Sequence, residues 1–185
     1  EHHISRDDKG KIADLEEASR LNPADVEVAS LISRAYYLLA ENLENEEERL
    51  ATYQTGTQRG EQAMSINPEF RAAMTRGRSD AGLAALGREH VPALYWTAVN
   101  LGRWARAKGF MTILANRSRI QRLVRRVTAL DSTYFHAAPD RYWGAYYSIA
   151  PSIAGGDKNR SRVHFERALQ IEPNYIGTRV TYAET

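Results

Sequence analysis

A short motif recurs along this chain and restricts what it can fold into. Ala168, Ile171 and Pro173 form the pattern A-x-x-[LI]-x-P. Ala18, Leu21 and Pro23 repeat it, as do Ala63, Ile66 and Pro68. Val127, Leu130 and Ser132 make a worn fourth copy, with serine where the others have proline. Two residues past each closing position stand Asp25, Phe70, Tyr134 and Tyr175. Proline lacks an amide N–H and its ring clashes with the preceding turn, so each copy marks the end of a helix. The small residue lets a neighbouring helix approach, and the aliphatic fills the seam beside it. One such ending arises by chance in any helical protein. Several in register predict a stack of helical hairpins.

The ending fits helix B of a tetratricopeptide repeat. The usual period is about 34 residues; here the spacing is longer and uneven, so the repeats are cryptic and carry insertions. Hydrophobic periodicity fills in the rest. A first helix is expected over 9–21. Asp25 then caps a second that runs to about Leu43, with Val28, Leu31, Ile32, Ala35, Leu38 and Leu39 inward. The third spans Glu46 to Ile66, opened by glutamates at its positive dipole end. Gly56 and Gly60 each cost about 1 kcal/mol against alanine in a helix, which points to a face where another helix comes very near. Pro68 to Leu86 reads as one helix, and its many small residues predict tight flanking on most sides. Val91 to Lys108 follows, with Pro92 in its first turn and Gly109 at its end. Phe110 to Leu130 places Ile113, Ile120, Val124 and Val127 inward. From His136 to Tyr175 two helices are joined by Gly155-Gly156-Asp157, the glycines supplying positive φ and Asp157 capping the second helix. A tail from Asn174 begins another helix. With no strand alternation, the fold class is all-α. It is an α-solenoid-like array of antiparallel helical hairpins, with residues 1–185 as one helical-repeat domain of about nine or ten helices.

Composition excludes several functions. There are 25 basic and 23 acidic side chains, so no bulk field recruits nucleic acid. The chain has no cysteine, hence no disulfide, thiol nucleophile or thiolate metal site. No stretch approaches the roughly 20 apolar residues of a membrane span. No secretory leader is recognisable behind Glu1-His2-His3.

Several constellations invite a chemical reading. His136 lies four residues before Asp140, and Arg141 follows; such a pair can orient a proton transfer. No nucleophile elbow or paired-ligand spacing accompanies it, however, and Asp140 beside Pro139 is more simply a first-turn acid. His2, His3, His90 and His164 are scattered and read as surface or capping groups, so no metal site and no cofactor is expected. Gly155-Gly156-Asp157 follows no strand and lacks the lysine–serine ending of a phosphate loop. Arg119, Arg122 and Arg126 share a helix face, which is ordinarily solvated or paired with glutamates. The aromatics carry the sharpest signal. Tyr95, Trp96, Trp104, Tyr142, Trp143, Tyr146 and Tyr147 include all three tryptophans. Amphipathic rings on the concave side of stacked hairpins offer large contact area at small entropy cost. The plain alternative is core filler.

At these residues the chain resembles the TRAP transporter T-component family. The likeness rests on His136, Pro139, Arg141, Gly144 and Tyr146, then Gly155, Gly156 and Asp157, then Phe165, Ala168-Leu169, Pro173-Asn174-Tyr175 and Tyr182-Ala183. The helix around Leu94-Tyr95-Trp96 and Trp104 adds to it. The resemblance implies a non-catalytic helical protein of the bacterial periplasm, forming a homotrimer with a central channel. It implies binding of the solute-binding P component of a TRAP transporter, and passage or presentation of a hydrophobic small molecule. Membrane anchoring would come only through a lipid group not present in this chain. Tyr95, Trp96, Asn100, Trp104, Tyr142, Trp143 and Tyr146 are the candidates, by chemistry and spacing, to line the ligand channel. The alternative from the repeats alone is a general tetratricopeptide scaffold for protein–protein interaction. A clamp for peptide carboxylates would then need lysines and asparagines on successive helices, and Asn100 stands nearly alone.

Overall fold

The computed structural model describes the backbone from Ile4 to Thr185 and the side chains from Asp8 onward. His2 and His3 lie outside the described residues. Among the described residues there are ten α-helices and no strand. Their contacts gather into two compact units divided between Arg126 and Val127.

The first unit begins with α1 (Ile4–Leu21), α2 (Val26–Glu41) and α3 (Glu46–Met64). Local chemistry sets where these helices start. The Asp25 carboxylate accepts from the Val28 amide at 3.0 Å, and the Asn45 side chain accepts from the Glu48 amide at 2.9 Å. Each satisfies a donor that the first turn leaves open. The next helix, α6 (Val91–Lys108), packs against both α2 and α3. Leu94, Leu101 and Ala105 are buried, and so are Trp96 and Asn100 on the other side.

The α2–α3–α6 junction answers the question raised by Gly56 and Gly60. A Cβ at Gly56 would stand 2.5 Å from Asn100 Oδ1, and one at Gly60 would stand 2.0 Å from Thr97 Oγ1. The two glycines therefore make the groove that receives α6. Polar side chains line it. Ser33 Oγ donates to the Gly56 carbonyl at 2.7 Å. Asn100 Nδ2 donates to the carbonyls of Ser33 (3.0 Å) and Trp96 (2.9 Å).

Between α3 and α6 the expected single helix is two, α4 (Pro68–Thr75) and α5 (Ser79–Ala85). Gly77 divides them at φ +69°. The amides of Gly77 and Arg78 turn back onto the carbonyls of Met74 and Ala73, at 3.0 and 2.9 Å. This Schellman arrangement needs a left-handed residue, which glycine supplies without strain. The expectation of tight flanking is also corrected. Ala72, Ala81 and Ala84 are exposed, while Phe70, Gly82 and Leu86 are buried.

A single residue, Gly109 at φ +103°, separates α6 from α7 (Phe110–Leu130). Ile120, Leu123 and Val124 are buried as the periodicity requires, but Ile113 is 38% exposed. Leu31 and Leu38 on α2 are likewise open at 37% and 43%. In both helices the apolar stripe is wider than the face the neighbours cover. The first copy of the repeated ending is similar: Ala18 is exposed, whereas Ala63 and Ala168 are fully buried. Among the described residues no helix covers the small residue in the last turn of α1.

The second unit is built from α8 (Tyr134–Ile149), α9 (Lys158–Ile171) and α10 (Ile176–Glu184). Phe165 is fully buried and stacks on Tyr182 at 4.5 Å. A Cβ at Gly144 would reach its ring at 2.8 Å, so α8 and α9 meet through a glycine and an aromatic face. Ser161 Oγ donates to the Gly144 carbonyl at 2.8 Å across the same contact. The connection between the helices has the expected chemistry at two of its three residues. Gly155 is left-handed at φ +90°, and Asp157 accepts from the amides of Asn159 and Arg160. Gly156 has no positive φ; its Cβ would fall 1.8 Å from the Ala150 carbonyl oxygen, so space requires the glycine.

Candidate functional site

The start of α8 departs most from an ordinary helix. Phe135, His136 and Ala137 are all left-handed, at φ 47°, 59° and 58°. Such a conformation costs about 1–2 kcal/mol per residue for a side chain with a Cβ. The surrounding groups hold it in place. Arg141 donates to the Phe135 carbonyl at 2.9 Å and to that of His136, and its guanidinium lies over Tyr175 at 4.6 Å. His136 stacks on Tyr175 with ring centres 4.4 Å apart. Pro139 then lies in the first right-handed turn, where its missing N–H costs nothing. The residues read as a family motif at His136, Pro139 and Arg141 are thus the parts of one backbone reversal.

The tempting His136–Asp140 pair does not form. His136 Nδ1 faces Glu172 at 3.7 Å. Asp140 is 3% exposed and meets His164 Nδ1 at 2.7 Å, with Arg167 at 3.7 Å. Asp140 stands in the first right-handed turn, as its place beside Pro139 implies, and is also a buried anchor joining α8 to α9. His164 is its partner rather than an isolated surface group, and its other contacts continue into the aromatic row. Tyr147 stacks on His164 at 5.5 Å, and Arg160 lies over Tyr147 at 5.2 Å. His90 also differs from expectation, being 3% exposed. Burial holds its imidazole below the ordinary pKa, against the opposing pull of Glu89. Among the described residues no group of three or more acidic or histidine side chains converges to hold a metal ion.

Each unit carries its own aromatic cluster. In the first, Trp96 is 3% exposed. It packs against Tyr37 at 5.3 Å and edge-on to Tyr95 at 4.9 Å, with the Arg34 guanidinium 5.5 Å above it. Tyr37 in turn lies 6.4 Å from Tyr53. The Tyr53 hydroxyl donates to Glu41, whose carboxylate also pairs with Arg103 at 3.2 Å. Burial, reinforced by the Glu41 hydrogen bond and charge, pushes the Tyr53 phenol far above its usual pKa. Trp104 is half-buried on the same helix as Trp96, and its indole N–H is buried without a hydrogen-bond partner. Asn100, between the two tryptophans in sequence, is fully enclosed at the glycine junction.

In the second unit the rings sit on consecutive turns of α8. Tyr142 stacks on Tyr146 at 6.4 Å, and Trp143 on Tyr147 at 5.9 Å. Trp143 meets Tyr142 and Tyr146 edge-on, at 5.1 and 5.9 Å. Tyr146 also donates its hydroxyl to the Ala154 carbonyl, which fastens the turn before α9. Trp143 is buried; Tyr142, Tyr146 and Tyr147 are half-open.

A cleft that the periodicity gave no sign of lies within the first unit. Met64, Phe70, Met74, Leu83 and Leu123 make its apolar lining, with Arg119 and Arg122 among the polar groups, around a volume of about 430 Å³. The arginines of the basic face turn inward on this unit. Arg119 pairs with Glu61, Arg122 with Asp80 at 3.5 Å, and Arg126 donates to the carbonyls of Ala84 and Leu86. Paired in this way, the face binds α7 to α3 and α5 and is not a strip laid out for phosphates. Only the partners, forty or more residues away for Arg126 and Arg122, were invisible in the sequence.

A comparison with curated proteins returned no match. The family model described as the TRAP transporter T-component matches residues 38–185. That range takes in the cleft, the second aromatic cluster and the whole second unit, and all of the glycine junction and first cluster except Ser33, Arg34 and Tyr37. The chain belongs to the TRAP transporter T-component family.

Proposed function

We propose that this chain is a non-catalytic accessory of a TRAP transport system. It works in the periplasm as a homotrimer, binds the solute-binding P component, and holds a hydrophobic ligand against its aromatic side chains. The family match over residues 38–185 carries the reading. Each unit offers its own candidate ligand surface: the half-open rings of Tyr95 and Trp104 on α6 in the first, and those of Tyr142 and Tyr146 on α8 in the second. Trp96 and Trp143 stand behind them, buried, and fix their orientation through edge-on contacts. Asn100 ties α6 to α2 through the Ser33 carbonyl. A role without turnover agrees with the separation of His136 from Asp140, since each is committed to a different structural contact. A peptide-carboxylate clamp is less well supported, because the one matching asparagine is spent inside the helix junction.

Native mass spectrometry of the chain with a candidate P component tests the first half. The expected result is a trimer that gains the partner. Tryptophan emission during titration with a long-chain fatty acid tests the second, with a shift expected that Trp104→Phe and Tyr142→Ala reduce. A monomer indifferent to both additions would overturn the proposal.

A further inference from the structure

Between Val91 and Leu130 the sequence holds eight arginine or lysine residues and no aspartate or glutamate. The whole chain exceeds neutrality by only two charges, so this α6–α7 segment is the positive end of an otherwise acidic protein. Within the first unit Arg103 is engaged by Glu41, Arg119 by Glu61, Arg122 by Asp80, Arg125 by Gln121, and Arg126 by backbone carbonyls. Arg106 and Lys108 stand exposed at the end of α6. Gly109 alone separates α6 from α7. Immediately beyond it, Phe110 is 65% exposed, Met111 73%, Leu114 46% and Ile113 38%. Four large apolar side chains in water, within the first turns of one helix, exceed the scattered single exposures normal for a soluble surface.

We propose that this corner docks the chain onto an anionic lipid surface. Two long helices meet at one glycine, and the exposed apolar side chains lie in the first turns of the second. A protein partner ordinarily offers directional hydrogen bonds around its apolar anchors. Here the side chains at the corner are apolar or cationic: Phe110, Met111, Ile113 and Leu114 beside Arg106 and Lys108. A bilayer asks for no directional partner. It accepts apolar groups at the headgroup–acyl boundary and attracts cations beside them. Phe110, Met111 and Leu114 supply the first, and Arg106 and Lys108 the second. The geometry describes a superficial anchor rather than a span, and among the described residues no helix is long and apolar enough to cross a membrane. The inference rests on this corner alone and on neither the P component nor the ligand.

Co-sedimentation of the 185-residue chain with vesicles of phosphatidylcholine, with and without phosphatidylglycerol, tests it. The chain should bind the vesicles containing phosphatidylglycerol, and about 0.5 M salt should weaken that binding. Phe110→Ser with Met111→Ser should lower the partition coefficient about tenfold or more. Arg106→Glu with Lys108→Glu should lower it about fivefold for each cation removed, and should flatten the salt dependence. Circular dichroism should show unchanged helix content, because the exchanged side chains are exposed; Met111→Ser alone serves if the double variant fails to fold. Absence of binding at low salt would overturn the proposal, as would binding that both double variants leave intact. A change of oligomer mass in the apolar variant, with no vesicle binding by the parent, would assign the corner to contact between copies of the chain and overturn it equally.

Discussion

The two units solve the same packing problem with different materials. In each, a glycine in one helix lets a second helix approach too closely for a methyl group. In the first unit the space opposite Gly56 and Gly60 is filled by Asn100 and Thr97, which are polar and hydrogen-bonded. In the second, the space opposite Gly144 is filled by the ring of Phe165, and the polar load is carried one turn away by Asp140 with His164 and Arg167. A buried amide fixes register through direction, as Asn100 does by reaching the Ser33 carbonyl across the junction. A ring fixes it through shape. The difference teaches that close helix approach dictates a glycine but leaves the filling open.

Substitutions sharpen this contrast. The largest effect is expected for Asp140→Ala, which leaves His164 and Arg167 without their buried anion. A loss of about 3 kcal/mol, read from urea unfolding, is expected. A change below 1 kcal/mol, on the order of a surface pair, would mean that the ring contact alone holds α8 to α9. Next comes Gly60→Ala. The new methyl would drive Thr97 from its rotamer and its bond to the Ala93 carbonyl, and about 1 kcal/mol of recovered helix propensity offsets part of that, leaving about 2 kcal/mol of destabilisation. The third test is a double-mutant cycle. The three atoms nearest to a Gly56→Ala methyl belong to the Asn100 amide. Gly56→Ala should therefore destabilise the parent by about 1–2 kcal/mol, yet become neutral or favourable when combined with Asn100→Ala. Simple additivity would show that the junction yields by moving its backbone, and the distinction between polar filling and ring filling would lapse.

The smallest effect concerns pH. His90 is held neutral by burial, with a folded pKa below the unfolded one. Its contribution is intact above about pH 6.5 and declines as pH falls through that value, because the unfolded chain takes up a proton that the folded chain resists. The slope from this group cannot exceed one proton, about 1.4 kcal/mol per pH unit. His90→Gln should flatten the fall in melting temperature between about pH 7 and pH 5. An unchanged profile would place the acid sensitivity elsewhere.

Much of this architecture was readable from residues whose effect is local. Asp25 and Asp157 cap the helices that follow them, Pro92 and Gly109 bound α6, and the i,i+4 glycines of α3 face a helix as their spacing implied. What escaped depends on contacts made at a distance or on conformation without a marker. Gly77 stands in a run of small residues that looks continuous, so its left-handed φ leaves no trace in the pattern. Phe135, His136 and Ala137 are left-handed with no glycine among them, held by Arg141 and by Tyr175 some forty residues on. The partner of Asp140 sits on the next helix, 24 positions away, and not at the i,i+4 histidine that periodicity brings to mind. The apolar stripes of α2 and α7 show what burial is available to a helix. Only the neighbours decide how much of it is used, as Leu38 and Ile113 record.

The placement of the indoles has an optical consequence. Trp96 and Trp104 both belong to the first unit, and Trp143 is the tryptophan of the second. Trp143→Phe leaves emission that watches residues up to Arg126, while Trp96→Phe with Trp104→Phe leaves a fluorophore that watches the remainder. Two such proteins, melted side by side under one lamp, would each tell the history of half the molecule.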